Sequence, residues 1–302
     1  MPDRRTTVRV VFALALFLAT QYWVAWTMPF LGDDFVILER VRNASFLDLW
    51  RTSGPLLFGW YRPVSRELHY WTLRHLAGTR EAAFHSVSFA LWVTLLTLFH
   101  RYLHRLAGPR AAAIATTGTA CLSLWGGPLI WIAGAQDLWM LTFGMAYLLA
   151  MADDRRWLAV LWLGLALLSK ESAVCFLLVA MAASAARRGF ERREIVKEFW
   201  PSLVLIAVWA VLHPTLFGRI AGHYISPVEA STRRSVGWAL SHALLSVLDF
   251  DTAPAPQGGW NQALLLSVLA CVPLLLILLP AWKAPEPLTR LPPKRLWLWR
   301  LR

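Results

Sequence analysis

Two adjacent carboxylates, Asp33 and Asp34, stand in the run Gly32-Asp33-Asp34-Phe35, a few residues after the first apolar block of the chain. A carboxylate within hydrogen-bond reach of a hydroxyl can take its proton, so either residue could serve as a general base. At the edge of an apolar environment the pair also costs desolvation and mutual repulsion. A solvated turn or a helix N-cap is the plain structural use of aspartates in such a place. Arg62, in Tyr61-Arg62-Pro63-Val64, can present a guanidinium fork to a phosphate beside a conformationally fixed proline. The plain reading of Arg62 is an interfacial arginine that snorkels. Further along the chain come His85, Gln136-Asp137 and Lys170-Glu171. Asp137 could simply cap its helix, and Lys170 with Glu171 could be a self-neutralising pair. No Gly-rich phosphate loop, His/Cys metal cluster or serine-nucleophile motif is present.

The elements that must hold these residues are membrane helices. Of the 302 residues, 57% are hydrophobic and 16% charged, and the mean hydropathy is +0.48. A soluble domain of this length needs far more polar surface. The apolar residues come in long blocks separated by short basic segments, the pattern of repeated bilayer crossing. Tryptophans such as Trp23, Trp26, Trp131, Trp157, Trp200 and Trp282 mark block edges, where an indole suits the headgroup region. Cys121, Cys175 and Cys271 lie far apart inside apolar blocks and form neither a disulfide framework nor a metal spacing. The net charge of +12 is dispersed among the blocks, which argues against nucleic acid as a partner.

The blocks cover about residues 10–27, 83–100, 111–133, 138–151, 157–169, 172–186, 201–217 and 262–282. The first has no A-x-A-like cleavage site after it and reads as a retained span. With the N-terminus cytoplasmic, most Lys and Arg fall on inward segments: Arg4, Arg5 and Arg9; Arg101, Arg105 and Arg110; Arg155 and Arg156; the cluster between Arg187 and Lys197; and the tail from Lys283. The expected fold is therefore an all-α polytopic transmembrane bundle of about eight spans, with both termini inside; a ninth span would put the C-terminus outside. It reads as one transmembrane domain over residues 1–282, with a long first extracytoplasmic loop at 28–82 and a basic cytoplasmic tail at 283–302.

Within that loop, residues 65–76 read as an interfacial helix with Leu68, Trp71 and Leu76 toward lipid and Arg66, Glu67 and Arg74 toward water. Residues 235–250 read as a second helix lying on the outer surface. The helix at 157–169 is about 20 Å long against a hydrocarbon core of about 30 Å. The turn at Lys170-Glu171 should thus lie at membrane depth, where charge and irregular backbone require surrounding protein or a water-filled cavity. Asp33, Asp34, His85, Gln136, Asp137, Lys170 and Glu171 all fall on the outer side of this topology.

In this order and spacing, Gly32-Asp33-Asp34-Phe35, Tyr61-Arg62-Pro63-Val64, the WIAGAQDLW run from Trp131 to Trp139 and the LLSKESAV run from Leu167 to Val174 resemble the GT-C superfamily of polyprenyl-phosphate-sugar-dependent glycosyltransferases. Within it, the segments look like those of the protein O-mannosyltransferases and the TMTC-like proteins. The resemblance implies inverting transfer of a sugar from a polyprenyl-phosphate donor to an extracytoplasmic protein or glycan acceptor, at a bacterial inner membrane. It implies Asp33 or Asp34 as the base, with Asp34 as an alternative orienting group. It implies Arg62 and Lys170 as the clamp on the leaving phosphate, and His85, Gln136, Asp137 and Glu171 as cavity-lining or supporting residues. No cofactor is expected: a divalent ion could sit at Asp33-Asp34, but no further ligand set demands one. Relatives often carry a basic residue just before the aspartate matching Asp137, where this chain has Ala135-Gln136, and they are usually longer. A minimal enzyme, a fragment and one half of a split enzyme are all compatible with that length. Two other readings of the bundle are a transporter or flippase built on the broken helix and a catalytically silent partner derived from the enzyme.

Overall fold

The structure, a computed structural model, describes residues 4–51, 60–188 and 192–216. Among them there is no strand, only helices: α1 (Arg4–Gln21), α2 (Asp33–Val41), α3 (His69–Ala77), α4 (Glu81–Ala120), α5 (Gly126–Ile130), α6 (Ala135–Ala152), α7 (Arg156–Leu167), α8 (Cys175–Arg188) and α9 (Arg192–Leu216). Glu81–Ala120 and Arg193–His213 are long and apolar enough to cross a bilayer. The expected last span, the outer helix at 235–250 and the tail lie outside the described residues.

Although hydrogen-bonded as one element, α4 is a hairpin. Gly108 sits at φ 83, ψ 175, with Pro109 behind it. Glycine enters that region without a Cβ clash, and proline cannot continue the preceding helix. Sixteen residues of straight helix would separate His100 from Thr116 by about 24 Å, yet their side chains meet at 3.3 Å. Residues 81–107 therefore descend and residues 109–120 return beside them. This matches the break expected at Arg101–Arg110, but the returning block is shorter than expected. It stops at Ala120 and gives way to a 3-10 turn (Ser123–Trp125), α5 and a second 3-10 turn (Ile132–Gly134). Gly126-Gly127-Pro128 open α5, and a helix begun on residues that sustain a helix interior poorly runs for only five residues.

Contacts between loops sort the bundle into two ends. At one end Arg105 pairs with Asp153 and Arg156 donates to the Lys197 carbonyl at 3.3 Å. Just inside it, Ser184 binds Glu198 at 2.8 Å. At the other end the His85 ring lies against the Met28 and Leu129 carbonyls, and Glu171 lies near His213. The two arms of α4, then α6, α7, α8 and α9, thus alternate in direction, and the Arg-rich turns at 101–110 and 153–156 and the start of α9 share one end. The core running along the bundle includes Leu14, Phe17, Trp92, Leu95, Leu138, Tyr147 and Leu163. A smaller cluster at the opposite end, with Ile37, Val41, Tyr70, Phe84 and Ile132, seats α2 and α3 on the bundle.

Residues 65–76 do not form a single amphipathic helix. A π-helical turn, Pro63–Leu68, precedes α3, and the polar face is turned inward. Arg66 and Glu67 are buried. They are tolerated there because Arg66 donates to Glu67 Oε1 through Nε at 2.9 Å and to the Trp60 carbonyl through Nη2 at 2.7 Å. Arg74 donates to the Leu38 carbonyl at 3.1 Å. Of the three residues expected toward lipid, Leu68 and Trp71 pack against the smaller cluster and only Leu76 is freely exposed.

Candidate functional site

Asp33 and Asp34 open α2, whose first turn favours acidic groups. Gly32 enters the helix at φ 45, a left-handed conformation that suits glycine. Asp34 shares the helical stripe of Ile37, Leu38 and Val41 and is fully buried. Its Oδ1 accepts from the Tyr70 hydroxyl at 2.6 Å and from the Ala133 amide at 2.8 Å. Its Oδ2 accepts from the Leu31 amide at 2.8 Å. Burial pushes the Asp34 carboxyl up from its ordinary value, against the opposing pull of these three bonds. Burial and the facing carboxylate likewise push the Tyr70 phenol up. Asp33, one residue earlier, is half-buried and accepts no hydrogen bond from any described residue.

Arg62 precedes Pro63 and is held at φ −133, ψ 58, outside the helical region as a pre-proline residue tends to be. Its Nε and Nη2 donate to the Glu171 carboxylate at 3.0 and 2.6 Å, and its Nη1 donates to Gln136 Oε1 at 3.1 Å. The Trp60 ring lies 5.1 Å from the guanidinium carbon, within cation–π range. Gln136 completes its own bonding by donating to the Ala133 carbonyl at 3.1 Å. Lys170, extended at φ −163, ψ 142, separates α7 from a 3-10 turn, Glu171–Val174. In extended backbone successive side chains diverge. Lys170 accordingly reaches Asp137 at 2.5 Å while Glu171 reaches Arg62. The pair is cross-linked between elements and is not self-neutralising.

The four segments are joined by backbone as well as side chains. Ser65 Oγ donates to the Ser169 carbonyl at 2.6 Å, and the Val64 amide donates to the Leu168 carbonyl at 3.3 Å. Gly134 passes so close to Pro128 that a Cβ there would lie 2.8 Å from its Cα. A continuous path therefore runs from Tyr70 through Asp34, Ala133, Gln136 and Arg62 to Glu171. His85 stands apart from it: buried, with ring nitrogens 3.2 Å from the Leu129 carbonyl and 3.1 Å from the Met28 carbonyl, it ties chain segments together. Among the described residues no three His, Cys, Asp or Glu side chains converge as a metal site.

Several members of this end escaped sequence reasoning. Tyr70 and Trp60 carried no polar-motif signal. His69 accepts the Trp139 indole N–H at its Nδ1 (3.2 Å), and burial pulls the imidazole down to about 4, so it is neutral. His213, near the end of α9, is buried with its Nε2 3.8 Å from Glu171 Oε1. An ionisable residue inside an apolar block was a usable signal for His213.

Comparison of the chain with protein-family models, with curated proteins and with solved structures returns no match.

Proposed function

We propose that this protein is an integral membrane glycosyltransferase that moves a sugar from a polyprenyl-phosphate donor to an extracytoplasmic acceptor. The observation that carries the reading is the gathering of Arg62, Gln136, Asp137, Lys170 and Glu171 at one end of the bundle, with the unengaged Asp33 carboxylate on a helix tied to the same turn through Asp34 and Ala133. Buried and half-buried ion pairs contribute little net stability and strongly penalise loss of one partner. A cluster of them at a helix break fits a site better than a scaffold.

Membrane depth supports it too. Arg156 and Lys197 touch at the basic end, and α9 climbs about 24 Å of helix from Lys197 to His213 beside Glu171. With the basic end at the inner surface, Glu171 lies a few ångströms below the outer boundary of a core about 30 Å thick. At that depth a lipid-borne phosphate would approach from the side and a polar acceptor from outside.

In the reaction the acceptor hydroxyl gives its proton to Asp33 as its oxygen bonds to the anomeric carbon. The bond from that carbon to the phosphate oxygen breaks through an oxocarbenium-like state. The phosphate leaves with one additional negative charge, which Arg62 and Lys170 stabilise. Asp34 is the orienting member of the doublet: a buried group with three bonds cannot also reach an acceptor. Gln136, where relatives often carry a base, avoids a like charge against Arg62.

The test is reconstitution with a polyprenyl-phosphate sugar. Asp33→Asn lowers transfer by about 10²–10⁴-fold while the protein melts as wild type does, and Asp34→Asn lowers transfer together with stability. Full activity in Asp33→Asn removes that residue as the base. No transfer by wild type with any donor sinks the enzyme reading in favour of a silent partner or a flippase.

A further inference from the structure

All three guanidinium nitrogens of Arg62 are engaged: Nε and Nη2 by Glu171, Nη1 by Gln136. A phosphate that takes the Nε–Nη2 edge of the guanidinium must displace Glu171. A carboxylate only 11% exposed would then be left without a counter-charge, which strongly penalises a buried pair broken on one side. Lys170 is already held by Asp137. His213 faces Oε1 of Glu171, the oxygen that also accepts from Arg62 Nε, at 3.8 Å, about 1 Å beyond a normal N–H···O bond. It reaches the site from α9 and is fixed from below by the Trp209 ring at 4.7 Å.

We infer that His213 is a positioning residue of the phosphate site, receiving the Glu171 carboxylate as an imidazolium when a phosphate displaces it from Arg62. This rests on the reading that Arg62 binds the donor phosphate. One proton enters from solvent onto the imidazole as the phosphate binds. It departs when the phosphate leaves and Glu171 returns to Arg62, and no covalent bond changes. The titratable groups facing His213 are Glu171 and Arg62. On the helices packed against α9, Arg156 lies near the opposite end against Lys197. Glu198 on α9 itself lies about 22 Å of helix away, bound to Ser184 of α8.

The experiment measures binding of a polyprenyl methyl phosphate to the full chain in nanodiscs between about pH 5.5 and 8, the range in which histidine titrates. The probe is a diester whose single charge is constant over that range. Uptake of one proton makes wild-type affinity fall by about threefold to tenfold per pH unit across part of the range. His213→Gln binds weakly at every pH with no slope. Glu171→Gln, which leaves no charge to neutralise, also loses the slope but binds tightly throughout. A wild-type slope persisting in either variant overturns the role of His213 while leaving the phosphate site intact. If His213→Gln does not fold, Glu171→Gln alone decides. No binding by wild type at any pH removes the phosphate site, and this inference with it.

Discussion

Asp33 and Asp34 share a peptide bond, a charge and a place in the first turn of α2, yet the fold uses them in opposite ways. Asp34 is sealed under α3 and accepts three hydrogen bonds from three different segments. Asp33 is half-buried and accepts none from the described residues. Helix phase makes the difference. At about 100° per residue Asp34 falls near the centre of the stripe of Ile37, Leu38 and Val41, with Ile37 and Leu38 flanking it, whereas Asp33 lies about 90° from that centre. A buried carboxylate with three donors is a structural joint, and its free neighbour is what remains for chemistry. The two cations of the site divide less sharply. Arg62 and Glu171 are 16% and 11% exposed, Lys170 and Asp137 29% and 35%, so the lysine pair opens to solvent more cheaply.

Removing the buried member should have the largest effect. Asp34→Ala leaves the Tyr70 hydroxyl and the Leu31 and Ala133 amides without their acceptor, at a cost of about 3–5 kcal/mol. Asp34→Asn should lose less: its Oδ1 can keep Tyr70 and Ala133, while its amide nitrogen would face the Leu31 N–H. Thermal melting of the two variants ranks them. If they melt as wild type does, Asp34 is no joint.

Acid should act on the same joint through its neighbour. His69, adjacent to Tyr70, has its imidazole pulled from 6.5 to about 4 in the fold, so the unfolded chain protonates first as pH falls. Stability from this group is intact above about 6.5 and is lost progressively toward 4, by roughly 3 kcal/mol at most. Asp34 works in the opposite sense. Its raised carboxyl makes the ionised form the costly one, and that cost is relieved as pH falls through its folded value. His69→Gln keeps an acceptor for Trp139 and should flatten the acid decline in melting temperature between pH 6.5 and 4; an unchanged decline would place its cause elsewhere.

Part of this was legible in the sequence. The order of helices, the hairpin at the Arg101–Arg110 turn and the broken helix at Lys170-Glu171 follow from apolar block lengths and basic turns, because those patterns are local. The phase of Asp34 with Ile37, Leu38 and Val41 was also there to be read, and would have separated the doublet. What could not be read was partnership at long range. Arg62 meets Glu171 across 109 residues, and nothing in Lys170-Glu171 says that the two diverge. Arg66 and Glu67 look like a solvated face because charge alone does not reveal that the Trp60 carbonyl will receive the guanidinium.

The turn that links Asp34 to the ion pairs gives an intermediate effect. Gly134→Ala sets a Cβ 2.8 Å from the Pro128 backbone, and backbone cannot swing aside as a side chain would. The turn shifts, at about 1–3 kcal/mol, and Gln136 and Asp137 move with it. The melting loss should come with a transfer loss larger than Gly144→Ala produces, where the obstructing atoms belong to the Phe176 ring. Equal transfer losses would mean that the turn does not carry the site.

The smallest structural effect should accompany the sharpest functional one. Asp33→Asn keeps the size of a side chain that bonds to no described residue, so stability should change by no more than about 0.5 kcal/mol. Its amide cannot take a proton, and loss of a general base lowers turnover by about 10²–10⁴-fold. Donor affinity should be preserved, because Arg62 and Lys170 are untouched, so the loss falls on kcat and not on KM. If Asp33→Asn instead melts early, the doublet is structural in both members and the base must be sought elsewhere at this end of the bundle. If it melts normally and turns over normally, the contrast between the two aspartates is one of packing alone.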